Sequence, residues 1–188
     1  RRADLQQVIA VTDADRGARL AAAIASRGEV RRSARTAREA VHAAMSTAAR
    51  LADGTEPGDG ELVSVVCALG DPRVRDTLYA LAVGDGAAAA ESLWALMART
   101  LPPRWRPDAL ALLAFSAYAR GDGPLAGIAL EEAVRIAPEH RMAVMLDSAL
   151  QSGMRPEQIR EMALSGYRTA AKLGVRLPPR LAFGQRAG

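Results

Sequence analysis

Residues 107–140 read PDALALLAFSAYARGDGPLAGIALEEAVRIAPEH, and this stretch decides the fold. Two apolar segments flank Arg120-Gly121-Asp122-Gly123, and Pro138 closes the second. In the first, Leu110, Leu113 and Ala114 recur at the spacing of one helical face; in the second, Ala126, Leu130 and Ala133 do the same. Glycine at 121 takes the left-handed conformation that ends a helix, and Asp122 accepts from the free amides of the next helix start. The predicted unit is a helix hairpin of about 34 residues, the period of a tetratricopeptide repeat. Ala126 and Ala133 are small enough for a close crossing, and Leu130 fills the space between them. Three positions depart from that repeat: Leu110 stands where a large aromatic is expected, Ala114 where glycine is expected, and the tyrosine is displaced to Tyr118. One hairpin cannot bury its own apolar faces, so neighbours must stack on it. A looser copy lies at 72–106, with Leu78, Leu81 and Ala82 followed by Ala90, Leu93, Trp94 and Met97. The expected fold is therefore all-α, a right-handed superhelical fragment of stacked, tetratricopeptide-like hairpins.

Composition agrees. Of 188 residues, 49% are hydrophobic but only 4% aromatic, which suits helices and disfavours β-sandwiches and barrels. The single cysteine, Cys67, excludes an intramolecular disulfide framework and any cysteine-cluster zinc site, and two histidines, His42 and His140, leave little for metal or triad chemistry. No apolar run reaches the roughly 18 residues of a membrane span, so the chain is expected to be cytoplasmic. It opens Arg1-Arg2-Ala3-Asp4 without a methionine, which reads as a fragment or a processed chain.

Outward from the hairpin, helical spacing continues in both directions. Leu5, Val8 and Ile9 make a short first helix, Asp13 caps a second, and a third is predicted from about Arg32 to Ala52. The valine-rich run 62–69 suits a strand by composition, but its neighbours are helical and no partner strand appears, so it is read as helix. Gly58-Asp59-Gly60 and Gly84-Asp85-Gly86 repeat the hairpin's punctuation, and Gly70-Asp71-Pro72 varies it. Two further helices come next, His140 to Gln151 and Pro156 to about Leu173, with Gly153 and Gly166 as interruptions. The division expected is 1–54 as arginine-rich helices, 55–175 as the helical core, and 176–188 as a flexible tail.

Charge is segregated. Residues 1–50 carry ten arginines against five acids, 51–100 three against eight, and 101–188 twelve bases against eight acids. A basic, acidic, basic order is a weak nucleic-acid signature, or it reflects complementary charge between helices. Its strongest feature is Arg27, Arg31, Arg32, Arg35 and Arg38. If the third helix begins early enough, Arg31, Arg35 and Arg38 share one face; the run reads first as a solvated helix or linker, and otherwise as a contact for phosphates or for an acidic surface, the chain's own middle third included.

The blocks 111–118 (ALLAFSAY), 120–123 (RGDG) and 129–131 (ALE), with Asp71-Pro72-Arg73-Val74-Arg75-Asp76 and Trp94, resemble the C-terminal helical half of an actinobacterial family known as domain of unknown function 4192. The resemblance covers roughly residues 55–165. It implies a helical half that follows an α/β half in a two-part protein, and it brings no catalytic residues.

Catalytic constellations are thin. Glu131 and Glu132 are adjacent on a helix and point about 100° apart, so they read as a solvated face. Glu139-His140-Arg141 sits at a helix start and reads as a cap or surface group. Cys67 reads as a buried free thiol, and His42 lacks a metal partner. Gly121-Asp122-Gly123-Pro124 lacks the lysine and serine or threonine of a phosphate loop. No cofactor or metal is expected. The expected function is a non-enzymatic protein-interaction or scaffold domain, contacting a protein partner or its own missing N-terminal half through Tyr118, Arg120, His140, Arg141 and Trp105. The alternative is a nucleic-acid-binding domain using Arg27, Arg31, Arg35 and Arg38. Trp105 is also read as a lock holding its proline-rich loop onto the core. Self-association is open, and no membrane partner is expected.

Overall fold

The computed structural model describes residues 1–183. They form α1 (Arg2–Ile9), α2 (Ala14–Ser26), α3 (Ala34–Ala52), α4 (Asp59–Ala68), α5 (Pro72–Ala80), α6 (Ala87–Thr100), α7 (Arg106–Ala119), α8 (Gly123–Ile136), α9 (Arg141–Gln151) and α10 (Pro156–Leu173). Short 3-10 turns occupy Leu81–Val83 and Pro103–Trp105. Among the described residues there is no β-strand, and the valine-rich run lies in α4. No helix among them is long and apolar enough to cross a membrane.

Local chemistry sets most of the helix starts. The Asp13 carboxylate accepts from the Arg16 amide at 2.8 Å, and Asp71 accepts from the Arg73 amide at 3.0 Å ahead of Pro72. Asp122 accepts from the Leu125 amide at 3.0 Å, just after Gly121 turns left-handed at φ +91°. The other two Gly-Asp-Gly triplets work differently. At α4 the cap is Gly58, and the Glu61 carboxylate accepts from its amide at 2.9 Å. At α6 the cap is Gly86, with no side-chain hydrogen bond.

At the centre is α7. Every residue from Arg106 to Ala119 is buried except Asp108, so this helix is apolar almost all round and must be surrounded. It packs on α6, α8, α9 and α10, most extensively on α8. Leu110, Leu113 and Ala114 meet a partner helix whose Ala126, Leu130 and Ala133 are all fully buried. Phe115 is buried as well, its ring edge-on to Tyr79 with centroids 5.2 Å apart. After the hairpin, α9 packs on α8 and α7, whereas α10 crosses α5 and returns to α7.

That last crossing explains Gly166, which lies within an unbroken α10 and does not interrupt it. A Cβ there would stand 2.5 Å from the Asp76 carbonyl oxygen and 2.6 Å from the Ala80 Cβ. Only glycine lets the two helices approach this closely.

Two expected boundaries are not seen in the packing. The buried side chains from Ile9 to Leu177 form one hydrophobic cluster, to which α3 contributes Ala37, Val41, Ala44 and Ala48. Residues 1–54 therefore share a core with the later helices. The tail read as flexible over 176–188 is tied down where it is described. Val175 and Leu177 are buried, the Leu181 amide donates to the Val83 carbonyl at 2.8 Å, and Arg180 bridges Gly84 in antiparallel fashion. The Tyr167 hydroxyl donates to the Pro178 carbonyl at 2.9 Å. Residues 184–188 lie outside the described residues.

Candidate functional site

The hairpin residues expected to meet a partner are mostly turned inward. Tyr118 is 2% exposed, and its hydroxyl donates to the Met154 carbonyl at 2.7 Å. Burial pushes its phenol above the ordinary tyrosine range. Arg120 stays half exposed but is held by Glu91 on α6, with Nε and Nη2 donating at 2.9 Å, and by Asp122 at 3.0 Å. Those hydrogen bonds with Glu91 raise its already high pKa. His140 caps α9: Nδ1 accepts from the Ala143 amide at 3.2 Å, and Nε2 lies 2.7 Å from the Asp108 carboxylate. This geometry requires the tautomer with the proton on Nε2. Trp105 is partly buried against the core, and the Arg104 guanidinium lies 5.4 Å from its ring centroid. Of the five residues, Arg141 alone is exposed with no ion pair among the described residues.

Sequence reading missed the most buried charged residue among the described residues. Arg106, at the start of α7, is 5% exposed. Its Nε donates to the Ala98 carbonyl at 2.8 Å, Nη2 to the Ile9 carbonyl at 2.7 Å, and Nη1 to the Glu132 carboxylate at 2.8 Å. One guanidinium thus ties α7 to the ends of α1 and α6 and to α8. Glu132 is accordingly not a solvated residue; hydrogen bonds from Arg135 and then Arg106 hold its carboxyl below the usual range. Glu131, exposed, pairs with Arg2. No local pattern announces Arg106, because its partners lie at sequence distances of 8, 26 and 97.

The arginine run has a different character. Ser33 caps α3 in a reciprocal box with Thr36, so the helix starts at Ala34. Arg31 and Arg32 precede it in a segment without regular secondary structure, and the single helical face expected for Arg31, Arg35 and Arg38 does not form. All five arginines of the run are nevertheless exposed. Arg27 donates to the Ser64 hydroxyl at 2.9 Å, and Arg35 pairs with Glu39 one turn on. Arg31, Arg32 and Arg38 have no ion pair among the described residues.

Charge complementarity with the acidic middle of the chain is present, but it uses other arginines. Arg16 reaches Glu56 and Asp59, Arg19 reaches Asp59, and Arg50 pairs with Glu61. Hydrogen bonds from Arg16 and Arg50 keep Asp59 and Glu61 below the usual carboxylate range. Asp71, whose carboxylate feels the charge of Arg32, is already held by Arg73 through Nε at 3.1 Å and Nη2 at 2.8 Å. Asp59, Glu61 and Asp71 are thereby engaged, Asp53 and Asp85 have no ion pair among the described residues, and Arg31, Arg32 and Arg38 have none at the surface. In chemical terms this is a set of exposed guanidiniums suited to oxyanions.

A family model described as a domain of unknown function (DUF4192) matches residues 1–157. The match begins at the first residue, so it includes the arginine run as well as the hairpin. No curated protein and no solved structure matches the chain.

Proposed function

The chain belongs to the DUF4192 family, whose description names no activity, and from that premise we propose that it is a non-enzymatic interaction module engaging an anionic partner through the junction of α2 and α3. One observation carries this reading: Arg31, Arg32 and Arg38 are exposed and without an ion pair among the described residues, while Arg16 and Arg50 are taken up by Glu56, Asp59 and Glu61. The hairpin serves as the rigid platform, a tetratricopeptide-like pair with α7 at its centre. Its interior groups Tyr118, His140 and Arg106 direct their hydrogen bonds into the fold.

A second reading places a protein partner on α9, because Val144 and Met145 are exposed there beside Arg141. Retention on immobilised heparin, a polyanion, separates the two. Changing Arg31, Arg35 and Arg38 to glutamate abolishes retention if the junction is the contact surface. The charge-matched triple Arg104→Glu, Arg141→Glu and Arg155→Glu, drawn from exposed positions elsewhere, then retains most of it. Equal losses in both triples would reduce the effect to net charge and leave the junction with no special role.

A further inference from the structure

The basic face is larger than the sequence run. Arg38 lies against the far end of the chain, since a Cβ on Gly174 would sit 3.5 Å from its Nη1. Gly174 comes after α10 in the left-handed conformation, between Lys172 and Arg176 in sequence, and both of these are exposed with no ion pair among the described residues. On the other side, Arg32 reaches the end of α4, its Nη2 3.1 Å from where a Cβ on Gly70 would be. Arg38 thus stands beside the Lys172–Arg176 segment and Arg32 beside the end of α4, where the Asp71 carboxylate feels its charge; Glu29 and Glu39 are the acids within residues 27–39. Like charges gathered from segments over a hundred residues apart repel one another, and a bound polyanion relieves that repulsion.

Two features of the face identify the polyanion. Val30 is the one large apolar side chain exposed between Arg27 and Arg38. The buried centres of protein interfaces are enriched in apolar and aromatic side chains, and between Arg27 and Arg38 this surface exposes Val30 and no aromatic ring. It also offers no stacking platform. Tyr79, Trp94, Phe115 and Tyr118 are buried, Tyr167 is partly buried with its hydroxyl on Pro178, Trp105 sits in its own loop, and the partly buried Phe183 ring is covered by the Arg160 guanidinium 4.0 Å from its centroid. Single strands are held by stacking bases on aromatic rings, whereas a duplex presents its phosphates outward and needs only cations at the right surface density.

We infer that the face formed by Arg31, Arg32, Arg35 and Arg38 with Lys172 and Arg176 binds the phosphate backbone of double-stranded DNA without reading its sequence. This rests on the interaction reading above and names its partner. The contacts are phosphate to guanidinium or ammonium, so affinity follows the number of counterions released and is indifferent to base order.

The test is fluorescence anisotropy of labelled 20-base-pair duplexes of two unrelated sequences, a single strand of equal length, and labelled polyglutamate, each titrated with the full chain across a range of salt. Both duplexes bind equally, the single strand binds more weakly, and log K falls with log salt at a slope of about −5 for five or six phosphates. Changing Arg31, Arg38 or Lys172 to glutamine lowers that slope by about one each. The glutamine triple loses about tenfold or more in affinity at low salt, while Arg104→Gln, Arg141→Gln and Arg155→Gln together cost about threefold or less. Binding of polyglutamate without the duplex overturns the DNA assignment and leaves the interaction reading standing. Binding of neither overturns both. Tighter binding of the single strand, or equal losses in the two triples, overturns the assignment of duplex to this face. The wild-type salt slope needs no variant and checks the proposal even where a variant folds poorly.

Discussion

The α7–α8 hairpin and the α2–α3 junction hold polar groups of opposite habit. In the hairpin, polar side chains are turned to internal use: the Tyr118 hydroxyl meets the Met154 carbonyl, His140 meets Asp108, and Arg106 gathers three partners out of water. At the junction the side chains are arginines facing solvent, and three have no ion pair among the described residues. The contrast shows why residue type alone misleads about function. The hairpin carries the chemically richer residues and devotes them to structure, while the junction carries a monotonous run and leaves it free. Stability changes should therefore concentrate in the first region and binding changes in the second.

The strongest attempt to break that contrast is Arg106→Met. It leaves the Ile9 and Ala98 carbonyls without their donor and Glu132 with Arg135 alone. The expected loss is about 3–5 kcal/mol, read from the denaturation midpoint, with no change in polyanion affinity for whatever fraction stays folded. Next is Gly166→Ala, which must push α10 off α5 at contacts of 2.5 and 2.6 Å and should cost about 3 kcal/mol. Tyr118→Phe removes one hydrogen bond from an otherwise unchanged ring and should cost about 1 kcal/mol by the same measurement. A retained heparin affinity in this variant would confirm that Tyr118 acts only within the fold.

A finer probe uses pH. Hydrogen bonds from Arg73 hold the Asp71 carboxyl below its ordinary value. A group depressed in the folded state contributes stability above its unfolded pKa and loses that contribution as pH falls through the folded value. Asp71→Asn keeps the cap and removes the charge. Its stability deficit against wild type should be full at neutral pH and shrink as pH drops below about 4. The smallest effect on stability belongs to the junction: Arg31→Gln with Arg38→Gln should shift it by no more than about 0.5 kcal/mol, because neither side chain has an ion pair to lose among the described residues. A larger loss would erase the distinction between the regions.

Much of this architecture is legible in the sequence because it depends on neighbours. Leu110, Leu113 and Ala114 against Ala126, Leu130 and Ala133 follow from helical spacing, and Asp13, Asp71 and Asp122 follow from capping chemistry. The start of α3 is open to the same reasoning. Ser33 three residues before Thr36 signals a cap, and taking it at face value keeps Arg31 off the helix. The features that escape such reading depend on distant partners. Arg106 looks like any arginine beside a proline until Ile9 and Glu132 arrive from elsewhere in the chain. Gly166 looks like a weak point in a helix until α5 is laid across it. The tail, rich in proline and glycine, looks loose until Val83 and Gly84 offer it backbone partners. The proximity of Arg38 to Gly174 at the end of α10 belongs to the same class.

Synthesis order gives the α5–α10 crossing a further consequence. Translation delivers α5 and α7 well before α10, so the seam later filled by Ile159, Ala163, Ala170 and Leu173 stays open on the growing chain. Until those residues emerge, the nascent protein carries an apolar furrow along its middle, and it is most prone to aggregation on the ribosome during that interval. The family match stops at residue 157, at the second residue of α10. A clone trimmed to that match would make this passing hazard permanent.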